Sequence, residues 1–166
     1  MSVQPIERFT SALDALTERI GQAWPVVFSP DVPALIHRYD QHPFHSYRRW
    51  VLLRAGTPEG YAVWRIFQED DGLWMATLMS LQVASPDPEG ARRLLRAGLE
   101  GLRAEGVFAV RALSGHPFLL EALVREGFFS YGASPGLLFL PRSEVERSWL
   151  SEPWWIGYGT SDAEVA

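Results

Sequence analysis

The chain has 166 residues, of which 47% are hydrophobic and 21% are charged, a balance typical of one globular domain with a sizeable core. It contains no Cys, Lys or Asn, which excludes disulfides, thiolate nucleophiles, Cys-ligated metals, Schiff-base lysines and phosphate-loop lysines. The formal net charge is −5 and the arginines are scattered along the chain, so nucleic acid is not an expected partner.

The chain also lacks the features of a membrane protein. No apolar stretch approaches the roughly 20 residues that span a bilayer, and the first ten residues have neither a basic nor an apolar signal region. We therefore expect no membrane partner and a cytoplasmic location. We expect one domain over 1–166, with a helical part over 1–45, a sheet with crossover helices over 46–141, and a tryptophan-rich tail over 142–166.

Two helices are predicted in the first part of the chain. Apolar residues at helical spacing indicate a first helix over about 6–20, with Pro5 near its start and Gly21 at its end. A second apolar stripe predicts a short helix over about 31–40, with Asp31 available as its N-cap.

From Tyr47 onward the hydrophobic period changes to two. Three such stretches are separated by turn signals at Gly56–Glu59 and Glu69–Gly72, which predicts a three-stranded antiparallel meander. The third strand, Leu73–Val83, carries apolar residues on both faces, so we expect it to lie centrally in the sheet.

The next elements predict a crossover. A strongly amphipathic helix over Ala91–Glu105 connects the strands at 74–83 and 107–113, which makes those strands parallel. A short helix from Pro117 follows, and then two further strands, near 128–133 and 136–141. The predicted fold class is α/β (α+β), with a mixed, mostly antiparallel sheet of about six or seven strands and helices on both faces.

This order of elements resembles the GNAT N-acetyltransferase superfamily over about residues 45–141, including a helix ending in "AEG" and a short helix closing in "REGFF". The resemblance implies that acetyl-CoA is a substrate. It also implies that backbone groups of Leu81, Gln82 and Val83 bind its pantetheine arm, and that the amides near Glu89–Arg92 face its pyrophosphate.

The phosphate loop departs from the family's signature, which is Gln or Arg, two residues, Gly, any residue, then Gly or Ala. Here Gly90 is followed directly by Ala91. The Asp87-Pro88 pair is a good helix cap whose carboxylate would accept hydrogen bonds from the amides that a pyrophosphate uses, and Glu89 adds a second negative charge. The same helix carries three arginines, Arg92, Arg93 and Arg96. They could bind phosphate through their guanidinium groups, or they could simply form the solvent-exposed face of the helix. The residues we expect to contact acyl-CoA are Leu81, Gln82, Val83, Gly90, Ala91, Arg92 and Arg93.

Two side chains are candidates for catalysis. The family's general-acid tyrosine would stand at Leu123, so Tyr131, four residues after Gly127, is the nearest substitute unless it simply packs in a strand. His116 follows a predicted parallel strand at its carboxyl end, where open α/β sheets place ligands. The alternative role for His116 is to cap the short helix that begins at Pro117.

No metal site is expected. His37, His42 and His45 lack the spacing of a helix-borne metal pair, so they are either solvated loop residues or, for one of them, a base toward an amine.

Three interpretations of function remain open. The first is an acyl-CoA-dependent N-acyltransferase in which a small amine attacks the thioester directly. The second is a catalytically degenerate GNAT-fold domain that binds a ligand or partner, as the altered phosphate loop suggests. The third is one half of a tandem architecture completed by dimerisation. The tail residues Trp149, Trp154 and Trp155 either cover this chain's own sheet or form a homodimer contact, which the resemblance slightly favours.

Overall fold

The computed structural model describes residues 1–24, 26–28, 30–114 and 116–130, together with the backbone of 154–155. A single 3₁₀ turn, Ser11–Leu13, precedes the first α-helix. The elements in chain order are β1 Ser2–Ile6, α1 Asp14–Ala23, β2 Val26–Val27, α2 Val32–Leu35 with its π-helical continuation Ile36–Asp40, β3 Ser46–Arg54, β4 Thr57–Gln68, β5 Trp74–Val83, α3 Pro88–Ala104, β6 Ala109–Ala112, α4 Pro117–Arg125 and β7 Trp154–Trp155. No helix among these described residues is long and apolar enough to cross a membrane.

The main sheet has the order β1-β3-β4-β5-β6. Its pairs are antiparallel except for β5 and β6, which run parallel and are joined by α3. The predicted meander and crossover helix are therefore confirmed. The third meander strand, β5, lies inside the sheet with a neighbour on each side, although β4 is the middle strand of the five described. The two further predicted strands fall largely beyond residue 130, outside the described residues, and 128–130 form no strand.

Alternating side chains of β4 divide the core into two apolar clusters, one on each face of the sheet. Tyr61 and Val63 belong to the cluster covered by α1 and α2, whereas Ala62 and Trp64 belong to the cluster covered by α3 and α4. The sheet is thus sandwiched between two helical layers, as predicted.

Helix α3 is shaped by its glycines as well as by its apolar stripe. A Cβ atom at Gly98 would lie 2.4 Å from Nε1 of Trp64, a side chain with no exposed surface. Glycine here lets the helix lie directly on the indole. The helix ends at Ala104, and the chain turns away at Gly106, whose φ of +82° favours glycine.

The first predicted helix is wrong at its start. Ser2–Ile6 form an edge strand in which Pro5 lies opposite Trp50, and regular α-helix begins only at Asp14. An edge strand tolerates a proline because one side of it makes no ladder bonds. Pro5 therefore marks a strand rather than a helix start.

A buried ion pair joins the end of α2 to β3. Nε of Arg49 lies 2.7 Å from Oδ1 of Asp40, and Oδ2 of Asp40 accepts a hydrogen bond from the amide of Phe9 at 2.8 Å. Burial lowers the pKa of Arg49, although the carboxylate of Asp40 opposes that effect. The pair fixes the segment between β1 and α1 against the sheet.

Candidate functional site

Strands β5 and β6 separate before β5 ends. Their pairing stops at Leu78 opposite Ala112, whereas β5 continues to Val83. The β4–β5 register shifts at the same point, because Val63 pairs with Ser80 and the next residue pairs with Leu78. Such a bulge bends a strand and increases its twist. We call the resulting space between residues 79–83 and the start of α4 the β5–α4 gap.

The backbone at the end of β5 faces this gap. The amide of Ala84 donates to the carbonyl of Glu59 on β4 at 2.9 Å. Because a planar trans peptide points its C=O and N–H in opposite directions, the carbonyl of Val83 points away from β4 and toward the gap. Backbone groups alternate along a strand, so Leu81 shares that direction with Val83. The structure thus places these two predicted residues at the gap.

The gap is filled by the chain's own side chains. The indole Nε1 of Trp24 donates to the Val83 carbonyl at 2.9 Å. The same indole makes an edge contact with His116 at 5.1 Å between ring centroids and a tilted contact with Phe118 at 5.5 Å. Gln82, another predicted residue, donates from Nε2 to the carbonyl of Phe28 at 2.7 Å.

His116 lies at the gap, where the sequence placed it, and it caps α4. Its Nδ1 accepts a hydrogen bond from the amide of Phe118 at 3.2 Å, and burial lowers its pKa. A neutral imidazole whose Nδ1 is an acceptor carries its proton on Nε2. In this position the ring has no lone pair with which to deprotonate an amine, so the geometry supports the capping role. A catalytic role stays a prediction.

The N-terminus of α3 is also occupied. Pro88 has no N–H, Gly90 donates to Oδ1 of Asp87 at 3.0 Å, and the amide of Ala91 donates to the carbonyl of Asp87 at 3.1 Å. In this turn, which the structure describes in full, only the amide of Glu89 is left for an external acceptor. Oδ2 of Asp87 is in turn paired with Arg54.

The predicted phosphate-binding arginines are paired with carboxylates of the chain. Arg92 and Arg96 both contact Glu126, with nitrogen–oxygen distances of 2.9 and 3.1 Å. Arg93 lies 2.9 Å from Glu89. The Arg93–Glu89 pair is exposed, and such pairs contribute only about 0–1 kcal/mol, so an anion could exchange for Glu89 there. The side chain of Glu126 is only 6% exposed, so withdrawing Arg92 and Arg96 from it would leave a buried carboxylate without its cations. The arrangement itself is that of a charged helix face.

The other sequence candidates lie elsewhere. Tyr131 is outside the described residues, and Leu123 is buried in the core. His42 and His45 stack at 4.4 Å next to the start of β3, at the opposite end of the sheet from the gap. The described residues bring no three His, Cys, Asp or Glu side chains together.

Two surface clefts among the described residues lie away from the gap. One, of about 310 Å³, lies between the second half of α3 and β6. The other, of about 700 Å³, lies along β1 and β3 beside the ion pair of Arg48 and Glu105. Neither cleft is lined by any of the residues that we expect to contact acyl-CoA.

Sequence reasoning missed two residues of this site. Trp24 is 59 positions from its hydrogen-bond acceptor, and Arg54 is 33 positions from Asp87. Nothing in the local sequence pattern links either residue to the end of β5 or to the start of α3. The Asp87 cap, by contrast, was predicted because its signal is local.

Solved acetyltransferases share this arrangement of elements. A GNAT family acetyltransferase from Staphylococcus aureus aligns with a TM-score of 0.57 at 13% identity, covering 84% of this chain and 100% of its own. A ribosomal-protein-alanine N-acetyltransferase from Brucella melitensis aligns at 0.62 and 14%, covering 84% and 100%. An aminoglycoside acetyltransferase from an uncultured soil metagenomic sample, in complex with sisomicin, aligns at 0.59 and 10%, covering 85% and 96%.

The chain has the GNAT fold. No family model and no curated protein sequence matches it. Identities this low show the fold alone, and one fold supports different activities.

Side chains of this chain occupy the points at which the resemblance implies that acyl-CoA binds. The resemblance implies a pantetheine contact at the backbone of Val83, yet Trp24 already donates to the Val83 carbonyl. The start of α3 offers one amide instead of several, with Asp87 in the place of an anion. Binding therefore requires rearrangement at both points.

Proposed function

We propose that this chain is an acyl-CoA-dependent N-acyltransferase that acts on a small amine. The observation that carries the proposal is the β5–α4 gap itself. The interior strand β5 is bulged, extends beyond its parallel neighbour β6 and turns the Val83 carbonyl toward the opening. Support also comes from the shared fold of solved acetyltransferases.

The proposed chemistry suits the residue types of the chain. The amine nitrogen forms the new C–N bond, the thioester C–S bond breaks, and the proton of the amine passes to the CoA sulfur. Backbone amides at the gap would polarise the thioester carbonyl, which is the electrostatic role that fixed donors perform in acyl transfer. Direct transfer needs no covalent intermediate, so the absence of Cys and Lys is no obstacle.

The test is the release of free CoA thiol from acetyl-CoA in the presence of amines of different classes. The panel contains a linear alkyl diamine, an amino sugar, an arylamine and a peptide with a free N-terminus. We expect one class to give amine-dependent thiol release at least tenfold above hydrolysis, with the acetylated amine identified by mass spectrometry.

Two controls sharpen this assay. Omitting the amine measures hydrolysis, and replacing acetyl-CoA by propionyl-CoA or octanoyl-CoA tests the length of the acyl chain. Binding of acetyl-CoA without transfer to any amine would contradict the proposal and leave the degenerate, ligand-binding alternative.

A further inference from the structure

Trp24 occupies an unusual place between the two halves of the core. It contacts the apolar cluster under α3 and α4 as well as the cluster under α1 and α2. These clusters lie on opposite faces of the sheet, so one side chain can contact both only at an edge, an end or an interruption of the sheet. Trp24 does so at the end of β5, beside the β5–α4 gap, and its neighbour Val27 also contacts both clusters.

Trp24 makes one polar contact and two aromatic contacts at the gap. Its indole N–H donates to the edge carbonyl of Val83, and its ring lies against His116 and Phe118 at the start of α4. A flat apolar group with one polar donor is thus inserted between the end of β5 and α4.

The segment that carries Trp24 also contacts the end of β5 and β7. The Phe28 carbonyl accepts from Gln82 at 2.7 Å, and β2 pairs over two residues with β7. The side-chain oxygen of Gln82 is buried and accepts no hydrogen bond from the part of the chain that the structure describes. An unsatisfied buried acceptor is unfavourable, which lowers the cost of moving this segment aside and offers a donor-bearing ligand a contact.

We propose that Trp24 is an internal plug that closes the β5–α4 gap and must leave it before acyl-CoA can bind. The inference rests on the proposed function, because it identifies acyl-CoA as the ligand that competes with the indole. The apparent affinity of the wild-type chain is then the affinity of the open form multiplied by the fraction of molecules in which the gap is open. The plug makes binding of the thioester conditional on movement of the segment after α1.

The test compares three variants with the wild-type chain. Trp24→Ala removes the plug, whereas Trp24→Phe keeps a ring in the gap but has no N–H for the Val83 carbonyl. Trp74→Ala is the matched control, since it removes a half-exposed tryptophan at the far end of β5. Circular dichroism and thermal melting establish that each variant is folded.

Two probes are used, acetyl-CoA and indole. We expect isothermal titration to show acetyl-CoA binding to Trp24→Ala at least tenfold more tightly than to the wild type, with Trp24→Phe between them and Trp74→Ala unchanged. Indole should raise the melting temperature of Trp24→Ala alone and should compete with acetyl-CoA for it. If Trp24→Ala does not fold, Trp24→Phe decides the question. Acetyl-CoA binding at least twofold tighter than in the wild type supports the plug, and unchanged binding overturns it.

The possible failures are distinguishable. If acetyl-CoA binds the wild type and Trp24→Ala with equal affinity and indole has no effect, the plug is overturned while the proposed function stands. If acetyl-CoA binds none of the proteins although indole stabilises Trp24→Ala, the proposed function fails. Trp24 is then a permanent part of the core, and the proposal that acyl-CoA displaces it is overturned.

Discussion

Replacing Asp87 by Asn should tighten the binding of acetyl-CoA. The carboxylate caps α3 through the amide of Gly90 at 3.0 Å and pairs with Arg54. It therefore places a negative charge at the helix terminus that the pyrophosphate would otherwise use. Asn caps helices about as well as Asp, so the helix should still form.

The magnitude follows from the charge that is removed. One charge near a helix terminus contributes about 0.3–1 kcal/mol at low salt, which corresponds to roughly twofold to fivefold tighter binding. Loss of the Asp87 pair also releases the half-exposed guanidinium of Arg54 to contact phosphate. The pair itself stabilises the fold by at most about 1 kcal/mol, so the variant should remain folded.

The assay is isothermal titration with acetyl-CoA at low and at high ionic strength. Asp31→Asn is the matched control, because Asp31 caps α2 in the same way, accepting from the amide of Ala34 at 2.8 Å. We expect tightening for Asp87→Asn only, and a smaller difference at high salt because the charges are screened. A folded Asp87→Asn variant that binds acetyl-CoA no more tightly than the wild type at low salt would refute the reasoning.

Two further predictions concern stability. Gly98→Ala should lower the free energy of unfolding by about 1–2 kcal/mol, because overpacking against the buried indole of Trp64 outweighs the roughly 1 kcal/mol gain in helix propensity. Chemical denaturation measures this loss. A loss of the same size in a Trp64→Phe background would contradict the steric cause. His116 has a pKa lowered by burial, so the unfolded chain takes up its proton more readily and stability should fall as the pH drops below about 6.5. Melting curves between pH 5 and 8 should show a smaller acid loss for His116→Asn, which keeps an acceptor at the cap, and identical pH profiles would exclude this contribution.

The parts of the fold that were predictable are those with a strong local period. The meander beginning near Tyr47 and the helix after Pro88 follow from periods of two and 3.6 residues, and their connection fixes the parallel pairing. The helix N-caps were equally predictable, because Asp87 and His116 accept hydrogen bonds from amides only two or three residues away. The edge strand at Ser2–Ile6 was missed because its formation depends on pairing with β3.

The candidate site was only partly predictable. Its backbone elements, at Leu81 and Val83, could be located from the order of strands and helices. Its side-chain occupants could not, since Trp24 and Arg54 reach the site through folding of distant segments. The homodimer prediction remains a prediction; the described part of the tail, Trp154–Trp155, pairs with β2 of the same chain.

Hydrogen–deuterium exchange of the wild-type chain, with and without saturating acetyl-CoA, tests the central claim most directly. If the β5–α4 gap is the acyl-CoA site, peptides covering 79–84 and 88–92 should exchange more slowly with the ligand, and the peptide containing Trp24 should change as the indole leaves the Val83 carbonyl. Unchanged exchange in all three peptides, or protection confined to the clefts beside β1 or β6, would contradict the claim.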